Sequence, residues 1–234
     1  MAGIKTAEEI ELLKRAAKAV EEVFARALPF IKPGITEKRL AEIMKEFAFE
    51  IPGVEDLAYE TIVASGPNGA KPHAELTDRE ILTGDMVTID FGVKFGGYSS
   101  DITRTFLPAE PTEKQKKIFD SVLRAQEAGL KAARAGLECA ALDAVCRGLI
   151  EKDGFAEYFI HTTGHGVGTE VHEDPRISAK SDEVLQAGMV VTIEPGIYIE
   201  GFGGVRIEDM VLITETGCEV ITNGIEKNLY FKIS

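Results

Sequence analysis

The chain is short of cysteine, of basic residues, of long apolar runs and of histidine, and each shortage narrows what it can be. The three cysteines, Cys139, Cys146 and Cys218, include no C-x-x-C and cannot all pair. Cys139 and Cys146 fall on an expected helix and read as small core residues rather than ligands. Met1–Ala17 is charged and amphipathic, without the apolar region of a secretory signal. With the odd cysteine count this gives a reducing cytoplasm as the expected location. Lys and Arg number 26 against 39 Asp and Glu, a formal charge of −13, which argues against a nucleic-acid partner because phosphate binding needs a basic footprint. No stretch approaches the ~20 apolar residues that span a bilayer, so no membrane partner is expected. What remains, 234 residues with 44% hydrophobic content and no polar tract, is globular throughout. It is long enough for one large domain or two joined halves.

The most informative stretch occurs twice. The first copy reads G-D-M-V-T-I-D-F-G-V from Gly84, and the second G-M-V-V-T-I-E-P-G-I from Gly188. At a fixed spacing Val87, Thr88, Ile89, Asp90 and Gly92 recur as Val191, Thr192, Ile193, Glu194 and Gly196. After a short insertion Gly96, Gly97 and Asp101 recur as Gly203, Gly204 and Glu208. Each copy is β-branched, then Gly-rich, then β-branched, the pattern of a hairpin. Folding the first about Phe95–Gly96 sets Asp90 opposite Asp101, and folding the second about Gly201 sets Glu194 opposite Glu208. Opposed carboxylates on one sheet face repel. They call for a proton, a cation or another register, and a cation accounts best for the repetition. The plain alternative is four solvated acids on an exposed face, common in so acidic a chain. Two matched pairs inside V-T-I-[DE]-x-G weigh against it.

The remaining elements also come in duplicate. Thr6-Ala-Glu-Glu9 is a capping box for a helix carrying Ile10, Leu13, Ala17, Val20 and Phe24, broken by Pro33-Gly34. Thr36 caps a second helix that ends before Pro52-Gly53. Ala58–Ala64 reads as a strand, Ser65–Arg79 as a loop, and the first hairpin follows. Beyond Pro108 and Pro111 the order repeats. Thr112-Glu-Lys-Gln115 caps a helix ending near Gly136, a second runs from about Ala140 to Lys152, and Tyr158–His161 reads as a strand. A Gly-rich loop and the second hairpin follow, and Lys227–Ile233 is expected to close the fold as a strand. The expected architecture is one α+β domain over residues 1–234, internally duplicated as halves 1–107 and 108–234. If the halves pack about a pseudo-twofold axis, the four carboxylates meet at one site.

All four histidines lie in expected loops or at strand ends. His165 stands in T-G-H-G-V-G, His172 in V-H-E-D-P, His73 in K-P-H-A of the corresponding first-half loop, and His161 precedes the glycine loop. A lone histidine is usually a hydrogen-bonded surface or core residue, but loops beside carboxylate hairpins are where site residues gather. A phosphate cradle at G-H-G-V-G is disfavoured, because the loop lacks a lysine and does not open a helix.

Taken in order, I-D-F-G, S-D-I-T-R-T-F, T-G-H-G-V-G, T-I-E-P-G-I-Y and R-I-E-D resemble the metallopeptidase family of methionine aminopeptidase, proline dipeptidase, aminopeptidase P and creatinase, over nearly the whole chain. The resemblance implies the pita-bread fold, an α+β architecture around a curved antiparallel sheet, with two metal ions on its inner face. It implies that Asp90 chelates one ion, that His165 and Glu194 serve the other, and that Asp101 and Glu208 bridge both. Such a donor set suits Mn²⁺ or Co²⁺, with Fe²⁺ or Zn²⁺ behind them. Glu194 is then the expected proton carrier, and His73 and His172 the substrate-side histidines.

N-G-A-K-P-H, T-D-R, H-E-D-P-R and G-G-V-R-I-E resemble the proline-specific branch. Methionine aminopeptidases usually carry a cysteine just before the Gly-His-Gly loop, where this chain has Thr162 and Thr163. Arg176 matches an arginine that in some prolidases meets the substrate carboxylate, and is equally readable as a surface arginine. With His161 it completes the candidate substrate-binding set. The resemblance also implies a peptide substrate and a homodimer. It departs from the branch in one respect, since the N-terminal domain usual there is not expected in this chain. The expected activity is removal of one N-terminal residue, from Xaa-Pro dipeptides or peptides. The alternatives are a methionine aminopeptidase and a non-catalytic peptide-binding protein.

Overall fold

Four helices on the outside press a set of short antiparallel strands inward in the computed structural model, which describes residues 3–228 and residue 230. Helix α1 (Ala7–Ala27) opens on the expected capping box. The Thr6 hydroxyl accepts from the Glu9 amide, and the Glu9 carboxylate accepts from the Thr6 amide. The helix stops ahead of Pro33-Gly34, because Pro29 supplies no amide hydrogen and the chain tightens into a 3₁₀ turn. Helix α2 (Glu37–Phe49) starts at the Thr36 cap. Strands β1 (Val54–Leu57) and β2 (Ile62–Ser65) follow. Of the stretch expected to be one strand, Ala58–Ala64, only the part within β2 is extended; residues 58–61 form no strand, and a 3₁₀ turn occupies Gly66–Ala70.

The first hairpin consists of β3 (Val87–Phe91), β4 (Val93–Phe95), β5 (Tyr98–Ser99) and β6 (Ile102–Phe106). It turns at Gly96–Gly97, where both residues hold positive φ, 56° and 78°. Two consecutive left-handed residues are what a two-residue hairpin turn requires, and glycine adopts them without strain. This corrects the register expected from a turn at Phe95–Gly96. Asp90 pairs with Thr103, not with Asp101.

Helices α3 (Glu113–Ala132) and α4 (Cys139–Lys152) follow, the first on a second capping box at Thr112 and Gln115. No strand forms at Tyr158–His161. A 3₁₀ turn over Ala156–Tyr158 leads into that segment, and the carbonyls of Phe159 and His161 accept from the Arg147 guanidinium instead of a neighbouring strand. The Gly-rich loop is itself β7 (Gly164–Gly166), paired with β8 (Glu173–Ile177) and β9 (Val190–Ile193). A Cβ on Gly164 would meet the Thr192 carbonyl at 2.0 Å, and one on Gly166 the Asp174 carbonyl at 2.3 Å. These glycines let strand backbones close up rather than serving loop freedom.

The second hairpin comprises β9, β10 (Gly196–Ile199), β11 (Gly203–Arg206) and β12 (Asp209–Ile213), with β13 (Cys218–Val220) outside β12. Its register is the expected one: Ile193 faces Asp209 and Gly196 faces Arg206, which brackets Glu194 opposite Glu208. Strands β2-β3-β6 form one sheet and β13-β12-β9-β7-β8 another. Tyr230 bridges Leu107, and the rest of the expected closing strand lies largely outside the described residues.

The core explains which way the carboxylates point. Val20, Phe24, Leu40 and Met44 of α1 and α2 pack on Ile89, Phe91 and Ile102 of the first hairpin. Ile118, Val122 and Cys146 of α3 and α4 pack on Ile193 and Val211 of the second. With one sheet face taken by helices, alternation along each strand sends the acidic side chains to the other. The hairpins are stitched together across that face. The Glu208 amide donates to the Thr103 carbonyl at 3.1 Å, and the Thr105 hydroxyl to the Arg206 carbonyl at 3.0 Å. Among the described residues no helix is long and apolar enough to cross a membrane.

Candidate active site

Asp101, Glu194 and Glu208 all sit where a hairpin ladder is interrupted, between β5 and β6, β9 and β10, and β11 and β12. Backbone groups freed at these breaks are satisfied elsewhere. The Glu194 amide donates to the Thr163 carbonyl at 2.8 Å and the Asp101 amide to Met210 Sδ at 3.1 Å. The breaks tip three carboxylates toward one point, and β7 brings His165 to meet them.

Asp101, His165 and Glu208 each offer a ligand atom, all within 4.8 Å of one another and all buried. His165 Nδ1 donates to the Gly166 carbonyl at 3.0 Å, which fixes the ring and turns Nε2 toward the carboxylates. Nε2 lies 3.1 Å from Glu194 Oε1 and 3.6 Å from Asp101 Oδ2. Asp90 stands at the edge of the group. Its Oδ2 takes the Arg206 guanidinium at 2.7 Å, and its Oδ1 lies 2.5 Å from the Tyr59 hydroxyl.

The electrostatics show what the cluster needs. Burial, then the charges of Asp90 and Glu194, hold Asp101 well above the usual carboxylate range. Burial, then Asp101 and Glu194, do the same to Glu208. Glu194 goes the other way. Burial opposes, but the hydrogen bond and charge of His165 draw it down to about 2. Tyr59 Oη also lies 2.6 Å from Asp101 Oδ1, so one phenol proton faces two carboxylates. A proton on Asp101 completes that set. Glu208 Oε2 accepts from the Thr103 hydroxyl at 2.6 Å, while Oε1 is buried with no hydrogen-bond partner among the described residues. A buried carboxylate oxygen without a partner is costly, and a cation between Asp101, His165 and Glu208 removes that cost. Hard oxygen donors with one imidazole fit a divalent first-row metal.

A cavity of about 440 Å³ opens over the cluster, with His73, His161, His172 and Arg176 on its walls. His73 and His172 are exposed to it. The His172 ring lies 4.5 Å from that of His165. Burial, then the charges of His165 and Arg176, lower its pKa, so it is neutral near pH 7 and keeps one N–H to donate. Arg176 reaches the cavity from β8, its side chain paired with no carboxylate among the described residues. His161 is used internally: Nδ1 donates to the Thr162 carbonyl at 2.8 Å and Nε2 accepts from the Tyr198 hydroxyl at 2.9 Å. It presents only ring surface to the cavity.

Three residues of this network were not singled out from the sequence. Arg206 touches Asp90, the Tyr198 hydroxyl, the Thr103 hydroxyl and the Pro72 carbonyl. Its signal was available, since it lies two residues before Glu208 on an extended segment and so shares its face. Tyr198 could be suspected from T-I-E-P-G-I-Y. Tyr59 carries no spacing signal, because it reaches the hairpin from a separate segment.

A buried carboxylate–imidazole cluster under an open cavity, on paired antiparallel hairpins backed by helices, has the donor set of a divalent-metal centre. The family follows from comparison: residues 11–215 match the model of metallopeptidase family M24, and the chain belongs to that family. The Xaa-Pro dipeptidase of Pyrococcus furiosus is 46% identical over 219 residues, which cover 94% of this chain and 63% of that protein. The solved Xaa-Pro dipeptidase from Bacillus anthracis superposes with a TM-score of 0.96 at 44% identity, covering 98% of this chain and 64% of that one. The X-Pro aminopeptidase structure from Thermotoga maritima gives 0.95 at 40% identity, covering 98% and 65%. The fold is therefore the α+β pita-bread fold of that family. The chain spans less than two thirds of the length of these relatives.

Proposed function

We propose that this chain is the catalytic domain of a two-metal exopeptidase that releases one N-terminal residue, with Xaa-Pro dipeptides as its preferred substrates. The observation that carries the reading is the buried Asp101–His165–Glu208 cluster with its unpartnered Glu208 oxygen. The Xaa-Pro dipeptidases among its relatives support the substrate class. Asp90 and Glu194 would complete, with Asp101, His165 and Glu208, a five-residue ligand set for two ions, Mn²⁺ or Co²⁺ ahead of Fe²⁺ or Zn²⁺. Bound there, the ions supply Lewis acidity and acidify a water for attack on the peptide carbonyl.

The rest is done by side chains. Glu194, charged across the neutral range, takes the proton of the attacking water and hands it to the departing prolyl nitrogen. His172 and His73 donate to the oxyanion from the cavity walls. Arg176 receives the carboxylate of a dipeptide, one residue beyond the scissile bond. His161 fixes the shape of the wall through Tyr198.

The same reading takes residues 1–107 and 108–234 as two copies of one unit within a single domain. The matching strand orders β2-β3-β6 and β7-β9-β12, each preceded by two helices, support it. Three cysteines without a disulfide suit a reducing cytoplasm. Exposed Leu82 and Ile160 are apolar side chains that a homodimer contact would cover, and sedimentation would test that state. Steady-state rates on Xaa-Pro and Met-Ala peptides test the substrate class. Faster release from Met-Ala would assign the protein to methionine removal, and no release from either to peptide binding alone.

A further inference from the structure

We infer that Glu37 is a positioning residue for His73, locking the loop that carries it against the sheet. The inference rests on the proposed role of His73 at the oxyanion.

Glu37 opens α2 and is fully buried, yet no lysine or arginine pairs with it among the described residues. Hydrogen bonds alone satisfy its carboxylate. Oε1 accepts from the Ser65 amide at 2.7 Å and the Ser65 hydroxyl at 2.8 Å. Oε2 accepts from Asn68 Nδ2 at 2.9 Å, the Thr77 hydroxyl at 2.6 Å and the Thr77 amide at 3.2 Å. The two oxygens thus grip opposite ends of the segment from Ser65 to Thr77. His73 is near its middle, exposed to the cavity.

The backbone of α2 reinforces the grip, since the Glu37 amide donates to the Arg79 carbonyl at 3.1 Å and the Lys38 amide to that of Thr77 at 3.2 Å. From the far side Arg206 donates to the Pro72 carbonyl at 3.1 Å. A loop between two elements is ordinarily the mobile part of a site. Here a charged acceptor with five donors fixes both its ends, and charge-assisted hydrogen bonds are about twice as strong as neutral ones. Placement of an oxyanion donor is sensitive to displacement: about 1 Å costs on the order of 10²-fold.

Glu37→Gln keeps the shape but turns one acceptor oxygen into an amide that faces donors. On a metal-replete Xaa-Pro dipeptidase assay we expect kcat to fall by about 10- to 10²-fold with KM nearly unchanged, and bound metal to stay at the wild-type stoichiometry. Combined with His73→Ala, it should add almost nothing to the loss from His73→Ala alone, because both act through one imidazole. Thr77→Val deletes the hydroxyl's bond to Glu37 together with the one it accepts from the Arg79 amide, keeps the Thr77 amide bond, and carries the same cycle should Glu37→Gln fail to fold. Multiplying losses in the double variants, or wild-type kcat in Glu37→Gln, would overturn the inference while leaving His73 catalytic. Full activity in His73→Ala would overturn the role of His73, and the inference with it.

Discussion

Asp101→Asn should make the metal-free protein more stable and the metal-loaded protein less stable than the wild type. Asp101 and Glu208 have ligand atoms no more than 4.8 Å apart, both buried. At an effective dielectric near 20, two unit charges at that distance repel by about 3.5 kcal/mol. The wild type escapes part of this by holding a proton, so relief on the order of 2 kcal/mol is expected near pH 8. For a chain of this length that corresponds to a rise of roughly 4–8 °C in Tm. The asparagine amide can donate to the Tyr59 oxygen in place of the protonated carboxyl, which leaves the phenol proton for Asp90 and keeps that contact paired.

The sign with pH follows from the direction of the shift. The Asp101 carboxyl is raised in the folded state, by burial first and neighbouring carboxylates second. The folded wild type therefore binds this proton more tightly than the unfolded chain, and loses stability as pH rises through the folded value. The variant lacks that loss, so its advantage in chelator widens with pH. Metal reverses the order. A ligand at about 100 times its Kd stabilises by about 2.7 kcal/mol, a gain that the variant forfeits at both positions if Asp101 bridges them. Thermal melts with chelator and with Mn²⁺, at several pH values, measure both arms. A variant less stable than wild type in chelator, yet shifted as far by Mn²⁺, would refute the reasoning.

Glu194→Gln should fold and lose about 10²–10⁴-fold in kcat, since an amide carries no proton; near-wild-type turnover with metal in excess would remove it from the mechanism. Arg176→Ala should lose roughly ten- to a hundredfold in kcat/KM on Xaa-Pro dipeptides, the worth of one charge-assisted contact, and little on amidated ones. Equal losses on both would make Arg176 structural. Gly164→Ala should destabilise by about 1–3 kcal/mol or more and weaken metal binding, because a Cβ there would meet the Thr192 carbonyl at 2.0 Å on the strand that carries His165. Unchanged denaturation would mean that β7 and β9 can separate without cost.

Helix starts were legible because their chemistry is local. Thr6, Thr36 and Thr112 cap as read, each within three residues of its partner. The duplicated V-T-I-[DE]-x-G stretches became β3 and β9, and Asp101, His165 and Glu208, from three separate motifs, lie together. Register in the first hairpin was not legible to the residue, because Gly96 and Gly97 both accept left-handed backbone and only the pair together sets the turn. The glycines around His165 looked like loop residues because close backbone approach between strands leaves the same composition as a flexible turn. Tyr59 and Glu37 escaped for a different reason. Tyr59 acts on partners 31 and 42 residues away, and Glu37 on Ser65 and Thr77 at 28 and 40.

The most direct test of the two-metal account is to strip the protein with chelator, add Mn²⁺ stepwise, and follow bound metal and Xaa-Pro dipeptide hydrolysis in the same samples. The account predicts no turnover without metal and full turnover as occupancy reaches two ions per chain, with the Asp101→Asn protein silent throughout. Hydrolysis that persists in chelator, or a wild-type chain that binds no ion while Asp101→Asn behaves identically, would contradict it.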